Sequence, residues 1–312
     1  MKRASIDLGT NTCLLLIQEV TSSGEEIILH DESQVVRLGE GVDLAGELNP
    51  EAMERARACL GIYAQTAKRF GVEPGAILAV GTAQARDAKN ASQFFASIQR
   101  ELGIQFRVLS GDEEARATFL GAALPGIPSS LMAVMDIGGG STEIVALPDS
   151  TGSILGESLN IGAVRMTERW LKSDPVTDSE FWKCEEEINE ALLKLKPWRK
   201  SLRQRLGGRE PIFVAVAGTA VTLAMLEQSI SVYERTAIDG LRLTVGDAHR
   251  LVEELKWRTV GERKRMIGME PKRADVILAG AMIFWRAMEE LEFKELRIST
   301  RGLRYGVFSL QN

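Results

Sequence analysis

Two short segments carry the residue types that could handle an anion. Asp7-Leu8-Gly9-Thr10-Asn11-Thr12 and Asp136-Ile137-Gly138-Gly139-Gly140-Ser141-Thr142-Glu143 follow one plan in the two halves of the chain. Each is an apolar run ending in Asp, then a tight turn of Gly, Ser, Thr or Asn, then a second apolar run (Leu14 to Val20; Ile144 to Leu147). A strand-turn-strand segment of this kind can cradle phosphate. Glycine lets the backbone approach an anion closely, successive N–H groups form a concavity, and the hydroxyls of Thr10, Thr12, Ser141 and Thr142 add donors. The leading Asp can face a metal ion or an activated water. Neither segment has the Gly-Lys-Ser/Thr of a Walker loop or the GxGxxG of a dinucleotide fingerprint. One copy alone reads equally well as a hairpin turn. Two copies predict a duplicated domain whose loops face each other across a cleft.

Other candidates lie nearby in the pattern. Ser110-Gly111-Asp112-Glu113-Glu114-Ala115-Arg116 opens a helix after a strand, and Ser110 with Glu113 has capping-box spacing. Glu114 is left over in the first turn, where the helix dipole favours the ionised carboxylate; beside a phosphate site it could orient and deprotonate a water. A solvated helix-start glutamate is the ordinary alternative. Asp136 and Glu143 bracket the second loop, a pairing suited to Mg²⁺ bridging to phosphate oxygens, or else Glu143 is a strand residue facing solvent. Arg86 follows the Gly81-Thr82-Ala83 turn and could hold phosphate with its guanidinium fork, or sit on the surface. Ala217-Gly218-Thr219-Ala220-Val221-Thr222 is a third strand-end turn leading into a helix, an anion site or simply an N-cap at Thr219. Basic residues at 196–209 and at Arg263, Lys264 and Arg265 read as solvated helix faces, or as a groove for a long polyanion.

The elements that must position these residues alternate. Residues 1–20 and 25–37 read as strands. Asn49-Pro50 opens a helix with apolar Met53, Ala56, Leu60, Tyr63, Ala67 and Phe70 at steps of three and four, ending at Gly71. A strand at 77–80, a helix at 91–102 and a strand at 104–109 follow. The second half repeats the order, with strands near 131–136, 143–148, 153–160, 212–217 and 295–298 and helices near 163–172, 178–196 and 271–291. This predicts an α/β fold of two domains, residues 1–124 and 125–312, divided at the Pro125 to Ser130 segment, with a last helix over 303–310 that either packs on the second domain or crosses back to the first.

A chain of 312 residues with 45% apolar content can bury two cores. Net charge is −5 and aromatics are 6%, so neither a basic footprint nor a base-stacking surface argues for nucleic acid. No run reaches membrane-helix length. Cys13, Cys59 and Cys184 are too few and too scattered for a disulfide framework or a zinc pattern, and the N-terminus lacks a signal-type core, so a reducing cytoplasm is expected. With only His30 and His249, any metal is expected to be a hard ion held by oxygen, most simply Mg²⁺. A homodimer is the default assembly.

Taken together these residues resemble the exopolyphosphatase / guanosine pentaphosphate phosphohydrolase (Ppx/GppA) family, within the actin, Hsp70 and sugar-kinase superfamily. The resemblance runs over nearly the whole chain. It rests on the Asp7 loop, Arg37-Leu38-Gly39-Glu40-Gly41, the Thr82 to Asn90 segment, Gly111 to Arg116, Asp136 to Glu143, Leu159 to Thr167, Gly218-Thr219 and Gly302-Leu303-Arg304. It implies two actin-like (ribonuclease H-like) domains with an interdomain cleft, and hydrolysis of a terminal phosphoanhydride of inorganic polyphosphate or of a guanosine penta- or tetraphosphate. By the same resemblance Glu114 matches the water-activating carboxylate, Arg86 a phosphate-holding arginine, and Asp136 and Glu143 the Mg²⁺-associated pair. Asp7, Gly9, Thr10, Asn11, Thr12, Gly138, Gly139, Gly140, Ser141, Thr142, Gly218 and Thr219 match the phosphate cradles. Leu14, Ala217 and Tyr305 depart from the family pattern, which commonly has a polar or basic residue, a glycine and a glutamate there. The length resembles short two-domain members, for which short polymers or nucleotides are plausible substrates. Two other functions fit the same cleft: a sensor that binds guanosine tetraphosphate with little catalysis, and a small-molecule kinase, for which no segment clearly supplies an acceptor base.

Overall fold

The computed structural model describes residues 1–147 and 154–311. The ends of the strands expected to reach 148 and to begin at 153 lie outside the described residues. The chain divides into two compact units, one of Met1–Gly121 with the segment from Leu303 onward, the other Ala122–Gly302. The first division falls just ahead of the Pro125 to Ser130 segment.

The first unit holds strands β1 (Lys2–Leu8), β2 (Thr12–Val20), β3 (Glu26–Val35), β4 (Leu78–Gly81) and β5 (Phe106–Val108) in the order β3-β2-β1-β4-β5. β1, β2 and β3 form an antiparallel meander, while β4 and β5 run parallel to β1. Its helices are α1 (Val42–Ala45), α2 (Pro50–Arg69), α3 (Ala83–Asp87), α4 (Ala91–Leu102) and α5 (Gly111–Gly121). α2 starts where expected because Asn49 Oδ1 accepts from the Glu51 N–H at 2.8 Å and Pro50 supplies a preset φ at the first position. Ala56, Leu60, Tyr63 and Ala67 are its buried stripe, and the Tyr63 hydroxyl donates to the Cys13 carbonyl at 3.0 Å.

The second unit repeats the plan. β6 (Met132–Ile137), β7 (Thr142–Ala146) and β8 (Leu155–Leu159) form an antiparallel meander; β9 (Ile212–Val216) and β11 (Glu295–Ile298) run parallel to β6; β10 (Arg242–Thr244) adds an antiparallel edge. The order is β10-β11-β9-β6-β7-β8. The duplication read in two loops is therefore a duplication of whole α/β sheets. Its helices are α6 (Ala163–Trp170), α7 (Asp178–Leu193), α8 (Lys196–Arg205), α9 (Ala217–Glu227), α10 (Arg235–Ile238), α11 (Val245–Lys256), α12 (Val260–Arg263) and α13 (Ile277–Glu290). The pattern at 178–196 and at 271–291 merges what the structure separates: α8 begins at Lys196, and a 3₁₀ turn at Pro271–Arg273 precedes α13. A proline starts each separate piece. β10 and α11 were not expected.

The last helix, α14 (Leu303–Gly306), and the 3₁₀ turn after it belong to the first unit. Leu303 and Val307 pack with Val80, Leu109 and Ala117. Arg304 donates two hydrogen bonds of 2.9 Å to the Asp31 carboxylate on β3, its carbonyl accepts from Ser5 Oγ at 2.6 Å, and Tyr305 OH donates to Asp31 at 2.6 Å. A glutamate at 305 would instead set two carboxylates together, so Tyr305 fits the presence of Asp31. Gly306 lies so close to α5 that an added Cβ would stand 1.7 Å from the Ala117 carbonyl oxygen. Gly306→Ala is expected to push α5 off its seat and cost about 2–3 kcal/mol, read by urea unfolding; a change within error would mean this approach is not tight.

Candidate active site residues

In the first unit the carboxyl ends of three parallel strands bring the candidates to one sheet edge. Leu8 is opposite Gly81, and Gly81 opposite Val108. The Asp7 loop, the Thr82 to Arg86 segment and the Ser110 to Glu114 helix start leave the sheet there. A Gly9 N–H to Thr12 carbonyl bond of 2.8 Å closes the loop. The Thr10 carbonyl accepts from Gly39, and the Asn11 carbonyl from Val36 and Arg37. Because C=O and N–H point oppositely across a trans peptide, the Asn11 and Thr12 N–H groups are turned away from that segment. Gln84 splints the turn: its amide donates to the Leu8 carbonyl at 2.6 Å, and Thr10 and Thr82 hydroxyls donate to its oxygen at 3.3 and 3.4 Å. The Thr10 hydroxyl, expected to donate to phosphate, is thus given to Gln84. Asn11 Oδ1 is buried with no hydrogen-bond partner, an acceptor whose desolvation is unrelieved.

Ser110 and Glu113 form the expected reciprocal cap, with the Ser110 N–H to Glu113 bond at 3.0 Å and the return bond to Ser110 Oγ at 3.2 Å. That cap leaves Glu114 to a different partner. Arg86, on α3, donates through Nη1 to Glu114 Oε2 at 2.7 Å and to the Leu109 carbonyl at 2.9 Å. The Glu114 side chain is 12% exposed and that of Arg86 28%. The freely solvated helix-start reading of Glu114 therefore fails, whereas Arg86 is an exposed residue whose guanidinium is tied to Glu114. Burial pushes the Glu114 carboxyl above the usual range, opposed by its hydrogen bond and charge interaction with Arg86. Asp7 keeps a sliver of solvent contact but is enclosed by protein. Desolvation first, then the Glu114 charge, pushes it up to about 7 against the pull of Arg304.

The second unit builds its loop with the same closing bond, Gly138 N–H to the Ser141 carbonyl at 2.9 Å. The Gly138 carbonyl accepts from Ala163, and the Gly139 carbonyl from Val164 and Arg165, the first amides of α6. The Gly139 and Gly140 N–H groups consequently point away from α6. Asp136 lies directly opposite Glu143 across β6 and β7. Glu143 is 4% exposed and accepts from Ser158 Oγ at 2.9 Å, so it does not face solvent. In the first loop the position opposite Asp7 is Leu14; only the second loop has a carboxylate pair. The Thr142 hydroxyl, expected in the phosphate cradle, is 1% exposed and donates to the Ile161 carbonyl at 2.7 Å. Alternation along the strand puts Thr142 on the face opposite Glu143.

The third turn is strained. Ala217 has φ 66°, a left-handed conformation that costs a residue with a Cβ about 1–2 kcal/mol. At Gly218 the Arg273 guanidinium lies 2.2 Å from where a Cβ would be, so a side chain there would have to displace it. Buried Arg273, held by Glu270 at 2.8 Å, lies in the range 271–291 that the sequence pattern assigns to one helix, and nothing local signals its place at this turn. The Thr219 hydroxyl is directed to the Ile137 carbonyl at 3.5 Å. Arg263, expected on a solvated face or groove, is buried and bonded to the Leu255 and Ala274 carbonyls. Its burial replaces a groove role with a structural one.

Among the described residues no group of three His, Cys, Asp or Glu could hold a metal ion. The Asp136 and Glu143 pair offers oxygen donors only, which fits Mg²⁺, an ion that retains several waters and takes one or two carboxylates. No helix of the described residues is long and apolar enough to cross a membrane.

The model of the Ppx/GppA phosphatase family matches residues 16–311. The chain belongs to this family. It is 36% identical to exopolyphosphatase 2 of Mycobacterium tuberculosis, over 97% of this chain and 96% of that one. A crystal structure of the Aquifex aeolicus Ppx/GppA family member superposes with a TM-score of 0.79 at 32% identity, covering 100% of this chain and 97% of the other. An exopolyphosphatase from Cytophaga hutchinsonii gives 0.87 at 26% identity, covering 100% and 97%. A Ppx/GppA phosphatase is a hydrolase, and the α/β fold with its two sheets is that of its family structures.

The raised Asp7 carboxyl makes stability pH-dependent. Its ionisation is penalised in the folded state, so stability falls as pH rises from the unfolded value near 3.9 and levels off above about 7. Asp7→Asn is expected to match wild type below pH 4 and to exceed it increasingly up to pH 7, by a few kcal/mol, in urea melts at stepped pH. A difference that does not change with pH would contradict the shift.

Proposed function

We propose that this protein is an Mg²⁺-dependent exopolyphosphatase that removes the terminal phosphate of inorganic polyphosphate, with guanosine pentaphosphate as a second substrate of the same chemistry. The observation that carries the reading is a buried glutamate, Glu114, ion-paired to Arg86 at the sheet edge where the Asp7 loop ends. The names of the Mycobacterium tuberculosis and Cytophaga hutchinsonii relatives support polyphosphate as the substrate.

Water attacks the terminal phosphorus in line, the bond to the bridging oxygen breaks, and the shortened chain leaves with that oxygen. Glu114 orients the water and takes its proton; a carboxyl lifted by burial is a stronger base than an exposed one. Arg86 holds Glu114 ionised and offers its remaining guanidinium donors to phosphoryl oxygens. Each unit offers cradle amides of its own, the N–H groups of Asn11 and Thr12 in the first and of Gly139 and Gly140 in the second, since the loop carbonyls are tied back elsewhere. Asp136 and Glu143 would hold Mg²⁺, which when bound neutralises charge on phosphate oxygens. Thr142 and Thr219 serve through backbone position, because their hydroxyls are directed to carbonyls. A homodimer in the cytoplasm completes the reading; the three free, buried thiols are compatible with a reducing compartment.

Phosphate release from short polyphosphate, long polyphosphate and guanosine pentaphosphate, with and without Mg²⁺, tests this. Glu114→Gln is expected to lower kcat by roughly a hundred to ten-thousand-fold with KM little changed. No release from any of the three by wild type, together with binding of guanosine tetraphosphate, would overturn the hydrolase in favour of a sensor.

A further inference from the structure

The turns at Gly138 and Ala217 leave the carboxyl ends of β6 and β9, since Asp136 pairs with Val216. At the other end of β9, about 13 Å along the strand at 3.3 Å per residue, lies a cavity of about 560 Å³. Its lining carries the cations Arg199, Arg203, Lys294 and Arg297 and the carboxylates Glu210, Glu292 and Glu295. It is within the size range of small-molecule sites.

Its arginines are unusual. Arg199 is 6% exposed, and its guanidinium sits 4.6 Å over the Phe293 ring, which stacks on Phe213 at 4.2 Å. Its Nε donates to the Leu291 carbonyl and its Nη2 to Glu210, each at 2.8 Å, yet Nη1 is buried with no partner. Arg297 Nε is likewise buried with no partner, although its side chain is 26% exposed and its Nη2 lies 3.8 Å from Glu295. A charged donor taken out of water and left unpaired is costly, so two beside one cavity mark a place where an acceptor belongs. Glu210 already shows the geometry of capture. Arg199 and Arg203 each donate to one of its oxygens at 2.8 Å, although its side chain is 60% exposed.

We propose that this cavity binds a small, multiply charged oxyanion of the phosphate class, bonded to Arg199 Nη1 and Arg297 Nε, with the exposed Glu210 carboxylate competing for the Arg199 guanidinium. Phe213 and Phe293 are buried and offer no open ring face for a base. The occupant is therefore a free oxyanion such as pyrophosphate rather than the phosphoryl end of a nucleotide. The site lies at the opposite end of β9 from the Gly138 and Ala217 turns and does not depend on the proposed hydrolase reading.

Calorimetric titration of pyrophosphate and of ADP into wild type, Arg297→Gln and Glu210→Gln tests it, with near-UV circular dichroism to verify folding. Glu210 is exposed enough that its variant should fold even if Arg297→Gln does not. Pyrophosphate is expected to bind roughly tenfold more weakly to Arg297→Gln, through loss of a charge-assisted donor, and several-fold more tightly to Glu210→Gln. Phosphate release by Glu210→Gln should equal wild type. Equal pyrophosphate affinity in wild type and Glu210→Gln would overturn the site. ADP binding more tightly than pyrophosphate, and losing affinity in Arg297→Gln, would overturn the free-oxyanion assignment.

Discussion

An ion pair in a desolvated place is the constraint on which the first unit turns. Glu114 has lost most of its water, and without the Arg86 cation 2.7 Å away its charge would be expensive to keep. Each partner is delivered by a different strand end: Arg86 by the short helix after β4, Glu114 by the helix after β5. Holding them in register takes the reciprocal cap of Ser110 and Glu113 at one end of α5, and the close seat of Gly306 against Ala117 along it. The C-terminal segment is thus part of the site's foundation. Its own anchor, the Asp31 carboxylate with Arg304 and Tyr305, reaches back to β3.

The two halves show how one backbone device is kept while its chemistry diverges. Both loops close with the same four-residue hydrogen bond, and both have carbonyls tied back so that amides are turned outward. Different segments do the tying: residues 36–39 in the first, the start of α6 in the second. Across from the leading Asp, one loop has Leu14 and the other Glu143. An apolar residue there gives Asp7 no carboxylate across the strand pair, whereas the second loop offers a pair of hard oxygens. The duplication supports two roles because side chains opposite the Asp are free to change without disturbing the turn.

Local chemistry made much of this legible. Glycine-rich turns, the Asn49-Pro50 start and the Ser110/Glu113 cap depend on residues within a few positions of one another, and all appear where their spacing put them. Contacts between distant residues were not legible. Nothing in the sequence near Arg86 names Glu114 as its partner, and nothing near Gly218 points to Arg273, whose guanidinium covers it. Hydroxyl direction was also hidden: Thr142 sits at the right position in the loop, but strand alternation turns its side chain to the core. Basic runs misled for the same reason, since Arg199 and Arg263 lie in charged stretches and are nonetheless buried.

The pH dependence of phosphate release in wild type and Arg86→Gln reaches the ion pair most directly. Glu114 must be ionised to accept a proton, and Arg86 is the group that lowers its raised carboxyl. Removing the cation should therefore carry the acid limb of the kcat profile to higher pH, beyond any uniform loss of rate. An acid limb at the same pH in both proteins would contradict Glu114 as the base held by Arg86.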